Sequence, residues 1–272
     1  MQPHTGSYYA ATANEVTDYP PLRGDHQTDI CVIGAGFTGI ATALTLAERG
    51  YSVRVVEANK VGWGASGRNG GQMIGGIAGE KHLRKVCDED TLWRMRWRGH
   101  DIIAERVAKY DIDCDLKYGY VDVAIKPRHL YEFQDDFDRL ERHGFDHEYR
   151  MLDRDETRAM IGTDAYLGAL LNMRNGHLHP LNLCTGEARA AASLGASIFE
   201  QSPVVNIVKG AKPRVETANG SVTADSVILA TARAWDATLW TQDADFEGLN
   251  GRLNVRQPQI RLFPQIGERY HL

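Results

Sequence analysis

The chain has 272 residues, a formal net charge of -5, 43% hydrophobic residues and 25% charged residues. This is globular composition, which excludes a disordered or fibrous chain, and the length is enough for one large domain or two modest ones with a real core. The mildly acidic balance argues against nucleic acid as the main partner.

The N-terminus, MQPHTGSYYA, has no apolar signal region, and no apolar run approaches a membrane span. Cys31, Cys87, Cys114 and Cys184 are scattered without a C-x-x-C pair. They read as reduced thiols of a cytoplasmic protein, with neither a disulfide frame nor a metal site. Residues 1–28 are polar, with Pro20-Pro21 near the end, and read as an arm on the domain surface.

From Asp29 the pattern switches twice. Ile30 to Ile33 is a short apolar run that suits a buried strand. Gly34, Gly36 and Gly39 follow, and Ile40, Ala43, Leu44 and Ala47 then recur at helical spacing until Gly50. Ser52 to Val56 is a second buried strand, so a parallel β-α-β unit with a right-handed crossover is expected. Further on, helices are predicted at 91–110, 130–143, 155–161 and 181–194. Strands are predicted at 116–125, 204–208, 214–217 and 227–230. Residues 175–180, NGHLHP, read as a loop, and Asn219-Gly220 as a hairpin turn.

The spacing Gly34-x-Gly36-x-x-Gly39, between a strand and a helix, is the dinucleotide fingerprint in its required setting. Gly34 permits the tight turn, Gly36 lets a pyrophosphate approach the backbone, and Gly39 lets the helix pack on the strand. Phosphates would then meet free N–H groups and the positive end of the helix dipole. Glu57 ends the second strand, where its carboxylate suits ribose hydroxyls and repels a 2′-phosphate. The fingerprint alone does not separate NAD from FAD. GWGASGRNGGQ, residues 62–72, follows almost at once. Its glycines let backbone N–H groups crowd an anion, and Arg68 can face a phosphate or a flavin edge. The competing reading is a flexible surface loop.

DICVIGAGFTGIATALTLAERGYSVRVVEA together with VGWGASGRNGGQ resembles the FAD-dependent oxidoreductases of the D-amino-acid oxidase superfamily. SYYAATAN, residues 7–14, and GHLHPLNL, residues 176–183, bring the resemblance closest to the gamma-glutamylputrescine oxidase branch. It implies an α/β (α+β overall) fold: a Rossmann-like FAD/NAD(P)-binding domain with a partial antiparallel-sheet substrate domain. The implied division is an arm at 1–28, FAD-binding segments at 29–80 and 176–232, a partial substrate domain at 81–175, and an atypical tail at 233–272. It further implies FAD as cofactor, a small-molecule amine as substrate, and hydride passing to flavin and then to oxygen or another acceptor.

By the same resemblance, Gly34, Ala35, Gly36, Thr38 and Gly39 would hold the pyrophosphate, and Glu57 the adenosine ribose. Ala65, Ser66, Arg68, Asn69, Gly70, Gly71 and Gln72 would line the path from pyrophosphate to flavin. Val204 or Val205 would touch adenine through the backbone. Ala230 and Thr231 match the family's Ala-Thr-Gly turn, although Ala232 replaces the glycine.

No catalytic residue is assigned, since a flavin oxidising a neutral amine needs no protein base. His177 and His179 are candidates, but His179 precedes Pro180 at a helix start and a structural role is favoured for both. Tyr118 and Tyr120 either line a substrate site or merely alternate across a sheet.

The resemblance covers roughly residues 7–231. The tail after Thr231 lacks amphipathic periodicity and a second glycine motif, and is expected to be non-homologous, from a frameshift, a truncation or a gene-model error. Three functions therefore compete: an FAD-dependent amine oxidoreductase, a truncated and catalytically inactive nucleotide-binding fragment, and an NAD-dependent dehydrogenase, against which the glycine-rich loop argues.

Overall fold

Two sheets organise the chain, seen in a computed structural model that describes residues 4–77 and 79–230. In chain order the elements are α1 (Tyr8–Ala11), β1 (Gly24–Ile33), α2 (Phe37–Glu48), β2 (Val53–Val56), β3 (Gln72–Met73), α3 (Glu80–Leu83), α4 (Glu89–Lys109), β4 (Lys117–Val123), α5 (Pro127–Arg142) and β5 (Tyr149–Leu152). There follow α6 (Arg154–Ile161), β6 (Ala169–His177), α7 (Pro180–Ser193), β7 (Ser197–Phe199), β8 (Val204–Val208), β9 (Arg214–Thr217) and β10 (Gly220–Leu229).

The larger sheet has the order β7-β2-β1-β10-β9-β8. Its first four strands run parallel, while β9 pairs antiparallel with both β10 and β8. Alternate residues of the central strands enter different cores, because successive side chains leave a strand on opposite faces. Val32, Val53 and Val55 pack with Ile40, Ala43 and Leu44 of α2 and with Cys184, Ala188 and Ala191 of α7. Cys31, Ile33 and Val56 face the other way, against Leu22, Phe199, Val215 and Val222. Burial on both faces explains why these strands read as continuous apolar runs. The smaller sheet is antiparallel, with β6 receiving β4, β5 and β3.

The β-α-β unit forms where the pattern placed it, and a hairpin joins β9 to β10, with its turn at Ala218-Asn219 and Gly220 already in β10. Three expectations are corrected. Residues 24–28 are not part of a surface arm but the start of β1, which runs beside β10 from Gly24↔Gly220 onward. The rest of that segment is also anchored, with Leu22 and Thr17 buried. Asn175 to His177 are not loop but the end of β6, because each finds a neighbouring strand or side chain for its backbone. The strands β3, β5 and β7 and the 169–174 part of β6 were not foreseen; each takes its extended form from pairing with a strand distant in sequence.

Candidate functional site

The parallel strands end in a common rim, and there the chain turns tightly. The Gly34 N–H donates to the Val56 carbonyl at 2.9 Å, and Gly34 has φ of 102°, a conformation open mainly to glycine. α2 then starts at Phe37 with Gly36 as N-cap, which has no side chain to cap it. Gly39 sits so close to the turn that a Cβ there would lie 1.9 Å from the Gly34 carbonyl oxygen. The expected reasons for glycine at 34 and 39 are thus visible as geometry. At Gly36 a Cβ would meet the Ser66 hydroxyl at 2.8 Å, so the loop after β2 closes over that point.

Glu57 joins these two segments. Its Oε2 accepts the Ala35 N–H at 2.7 Å and its Oε1 the Asn59 N–H at 2.8 Å. Burial pushes this carboxyl above its ordinary range, and the N–H groups of Ala35, Asn59 and Ala58 hold it partly back. The Gly62 N–H returns to the Ala35 carbonyl at 2.9 Å, and the Phe37 N–H donates to Ser66 Oγ at 2.9 Å. Ala230 completes the group: its N–H donates to the Ile33 carbonyl, and its methyl lies beside Gly39.

The glycine-rich stretch makes a short 3₁₀ turn at Ala65–Gly67. Arg68 is exposed, lies 5.2 Å over the Trp63 ring, and donates to the Gly64 carbonyl and to Thr5 Oγ1. Asn69 closes the turn, donating to the Ser66 carbonyl and accepting the Gly71 N–H at 2.8 Å. Gly71 is then pinned by the Leu178 N–H on its carbonyl, and Gln72 opens β3 opposite His177. Gly70 and Gln72 stay exposed.

Gly34, Ala35, Gly36, Thr38, Gly39, Glu57, Ser66 and Ala230 therefore meet at one rim, with Ala65, Arg68 and Asn69 on the adjoining turn. Gly71 and Gln72 lead from this rim into the smaller sheet. Val205 stands on the edge strand β8, at an irregularity between Val204 and Asn206. Its segment reaches the rim through the Ser202 N–H, which donates to the Glu57 carbonyl at 2.8 Å. Thr231 lies outside the described residues, as does the tail.

His179 caps α7. Its Nδ1 accepts the Asn182 N–H at 3.1 Å, which leaves the proton on Nε2, 3.1 Å from Thr12 Oγ1. Its ring stands edge-on to Tyr9. His177 is exposed at the end of β6. Tyr118 and Tyr120 flank an irregularity in the pairing of β4 with β6. No cluster able to hold a metal occurs among the described residues, nor any helix long and apolar enough to cross a membrane.

Two supports of the site escaped the sequence pattern. One is a clamp from α4: the Trp97 ring lies where a Gly75 side chain would be, and His100 Nε2 is 3.2 Å from the Met73 carbonyl. The other is a buried ion pair between Lys60 and Glu200. A charged residue in a loop and another after a strand read as surface residues, and nothing in the local pattern marks them as partners.

Chemically, the rim offers a helix N-terminus whose N-cap Gly36 has no side chain of its own, the Ser66 hydroxyl seated over Gly36 on the Phe37 N–H, and one anchored carboxylate. This donor set fits a dinucleotide: N–H groups and the helix dipole for the diphosphate, a carboxylate for a diol.

Comparison with known proteins agrees with this fit. The family model described as FAD dependent oxidoreductase (DAO) matches residues 29–269, a span that includes much of the tail. The chain is 42% identical over 239 residues to the probable oxidoreductase OrdL of Haemophilus influenzae, covering 85% of this chain and 54% of that protein. It is 41% identical over 234 residues to the gamma-glutamylputrescine oxidoreductase of Escherichia coli, covering 85% and 55%. The chain thus spans about half the length of these curated relatives. Among solved structures, the L-amino acid deaminase of Proteus vulgaris matches with a TM-score of 0.67 at 24% identity, over 80% of this chain and 50% of that one. The glycine oxidase of Geobacillus kaustophilus matches with a TM-score of 0.62 at 22% identity, over 76% and 56%. Both share the fold.

Proposed function

The chain belongs to the DAO family of FAD-dependent oxidoreductases, and from that premise we propose that it forms the FAD-binding part of an amine oxidoreductase acting on a gamma-glutamylputrescine-like amine. The observation that carries this reading is the Glu57 carboxylate held on the Ala35 N–H beside the glycine-capped start of α2. In this reading FAD supplies the hydride acceptor, with oxygen or another acceptor taking the electrons onward.

The chain's own residues bind and orient. The N–H groups at Gly36, Thr38 and Gly39, with the α2 dipole, hold the diphosphate. Glu57 accepts from the ribose hydroxyls while remaining fixed by Asn59. Ser66, Arg68 and the Gly70–Gln72 backbone guide the cofactor from the rim towards the smaller sheet, and the Val204–Val205 backbone borders the adenine. The relation to the Escherichia coli protein supports the choice of amine.

The test is the visible absorption spectrum of the purified, desalted chain, followed by addition of gamma-glutamylputrescine under nitrogen. A flavin spectrum that bleaches with the amine supports the reading in full. A flavin spectrum indifferent to amines leaves a cofactor-binding fragment. A protein that stays colourless after FAD is added refutes cofactor binding by this chain.

A further inference from the structure

Glu200 lies directly after β7 and is wholly buried, and Lys60 is only 4% exposed. The Lys60 ammonium donates to Glu200 Oε2 at 2.9 Å and to the Thr17 carbonyl at 2.5 Å, with the exposed Asp18 carboxylate 3.6 Å away. Both Glu200 oxygens are used further. Oε1 accepts the Val61 N–H at 2.8 Å and the Thr17 hydroxyl; Oε2 accepts the Tyr19 N–H at 3.2 Å. The Leu22 N–H then reaches Ser202 Oγ at 2.7 Å. One buried carboxylate therefore gathers three pieces of chain: residues 17–19, the loop 60–61, and the exit of β7.

That loop holds Glu57. On one side of Glu57, Asn59 donates to its carboxylate; on the other, the Ser202 N–H takes its carbonyl and the Gln201 N–H takes that of Asn59. Two residues beyond Lys60, Gly62 holds the Ala35 carbonyl. A buried charge pair is a poor source of net stability, but removing one partner leaves the other ion buried and uncompensated. Here both ions bond the backbone of the segments that flank Glu57.

We propose that Glu200 and Lys60 are positioning residues: through the strap at residues 17–22 they fix the loop 57–62, and so aim the Glu57 carboxylate at the dinucleotide turn. The proposal rests on the FAD reading above, and extends it to two buried residues that are given no contact with the cofactor.

Glu200→Gln tests it. The amide nitrogen of glutamine faces donors, either Lys60 and the Tyr19 N–H or the Val61 N–H, and the ammonium loses its buried counter-charge. Two readouts are used: amide hydrogen exchange at Ala35 and Asn59 in the protein without FAD, and the FAD dissociation constant from flavin fluorescence. Leu152→Ala, in the core of the smaller sheet, is the control for general destabilisation. Glu200→Gln is expected to speed exchange at both amides about tenfold over the control, and to weaken FAD binding by about as much. Glu200→Gln with Lys60→Met should recover part of both losses. Thr17→Val keeps the ion pair, and shows a smaller change of the same sign should Glu200→Gln not fold. Exchange at Ala35 and Asn59 that matches the control, or faster exchange with unchanged FAD affinity, overturns the proposal. Failure of the unaltered chain to bind FAD overturns the cofactor reading itself; the exchange data then separately decide whether Glu200 controls Glu57.

Discussion

Glu57 Oε2 and the Ala35 N–H are joined at 2.7 Å, so the end of β2 and the turn after β1 form one hydrogen-bonded unit. The unit costs the protein something, because burial opposes the charge on Glu57. Each of its two oxygens accepts a backbone N–H, and a side chain fixed in this way is suited to accepting from a ligand.

Replacing Glu57 tests that suitability. Glu57→Gln keeps one acceptor and loses the charge; Glu57→Ala leaves the Ala35 and Asn59 N–H groups without their acceptor. Loss of a charged hydrogen bond is worth about 1.5–3 kcal/mol, so the FAD dissociation constant should rise roughly tenfold or more. Alanine should be the worse of the two. Titration of flavin fluorescence reads both.

The glycine at the turn is a matter of packing. In Gly39→Ala the new methyl would lie 1.9 Å from a backbone oxygen, and α2 must move off the sheet. Overpacking of this kind costs about 1–3 kcal/mol, and here the upper end or more is expected, with loss of FAD binding. Gly99, in the middle of α4, has nothing within 4 Å. Gly99→Ala should stabilise the chain by about 0.5–1 kcal/mol. Opposite shifts in thermal midpoint for the two variants are the expected result.

His179 should make the fold acid-sensitive. Burial holds its folded pKa below the ordinary 6.5. The neutral ring is thus favoured by folding, and its contribution is complete above 6.5. As pH falls below that value the unfolded chain takes up the proton first, and stability declines until the folded ring also titrates. His179→Asn retains an N-cap acceptor but not the titration. Thermal midpoints of this variant should fall less between pH 6.5 and the acid limit. His4 and His100, lowered by burial in the same direction, contribute to the slope that remains. Parallel curves for variant and parent would refute the assignment.

Arg106 ties three helices together. It donates to Glu187 Oε1 at 2.7 Å on α7, and to Thr45 Oγ1 at 2.8 Å and the Ala41 carbonyl at 3.3 Å on α2. Burial pushes the Glu187 carboxyl up against the pull of Arg106. Arg106→Met strands that buried carboxyl, and should cost about 3–5 kcal/mol in urea unfolding. Adding Glu187→Leu should return most of the loss, because an apolar pair needs no counter-charge.

Much of the nucleotide-binding half was legible because its signals are local. The run Ile30–Ile33, the glycines at 34, 36 and 39, the α2 stripe and the second strand occupy fewer than thirty consecutive residues, and each constrains its neighbours through backbone sterics and period. The hairpin between β9 and β10 is legible for the same reason, although its turn falls one residue earlier, at Ala218-Asn219. The strand β6 was not: NGHLHP carries turn-forming residues, and only pairing with β3 and β4 makes its first residues extended. The strap at residues 17–22 read as surface for an equally physical reason. Its partners, Lys60, Glu200 and Ser202, lie far along the chain, and a polar segment shows no periodicity when its contacts are hydrogen bonds.

The amino-acid sequence by itself determined the parallel β-α-β unit, the tight turn and the acid at the end of β2, because short-range sterics and side-chain period act within a few residues. The tertiary structure alone decided that Ser66 closes over Gly36, that His179 caps α7 against Thr12, and that Lys60 meets Glu200. These are contacts between segments far apart in the chain. Burial then made each polar group depend on a partner that no local pattern names.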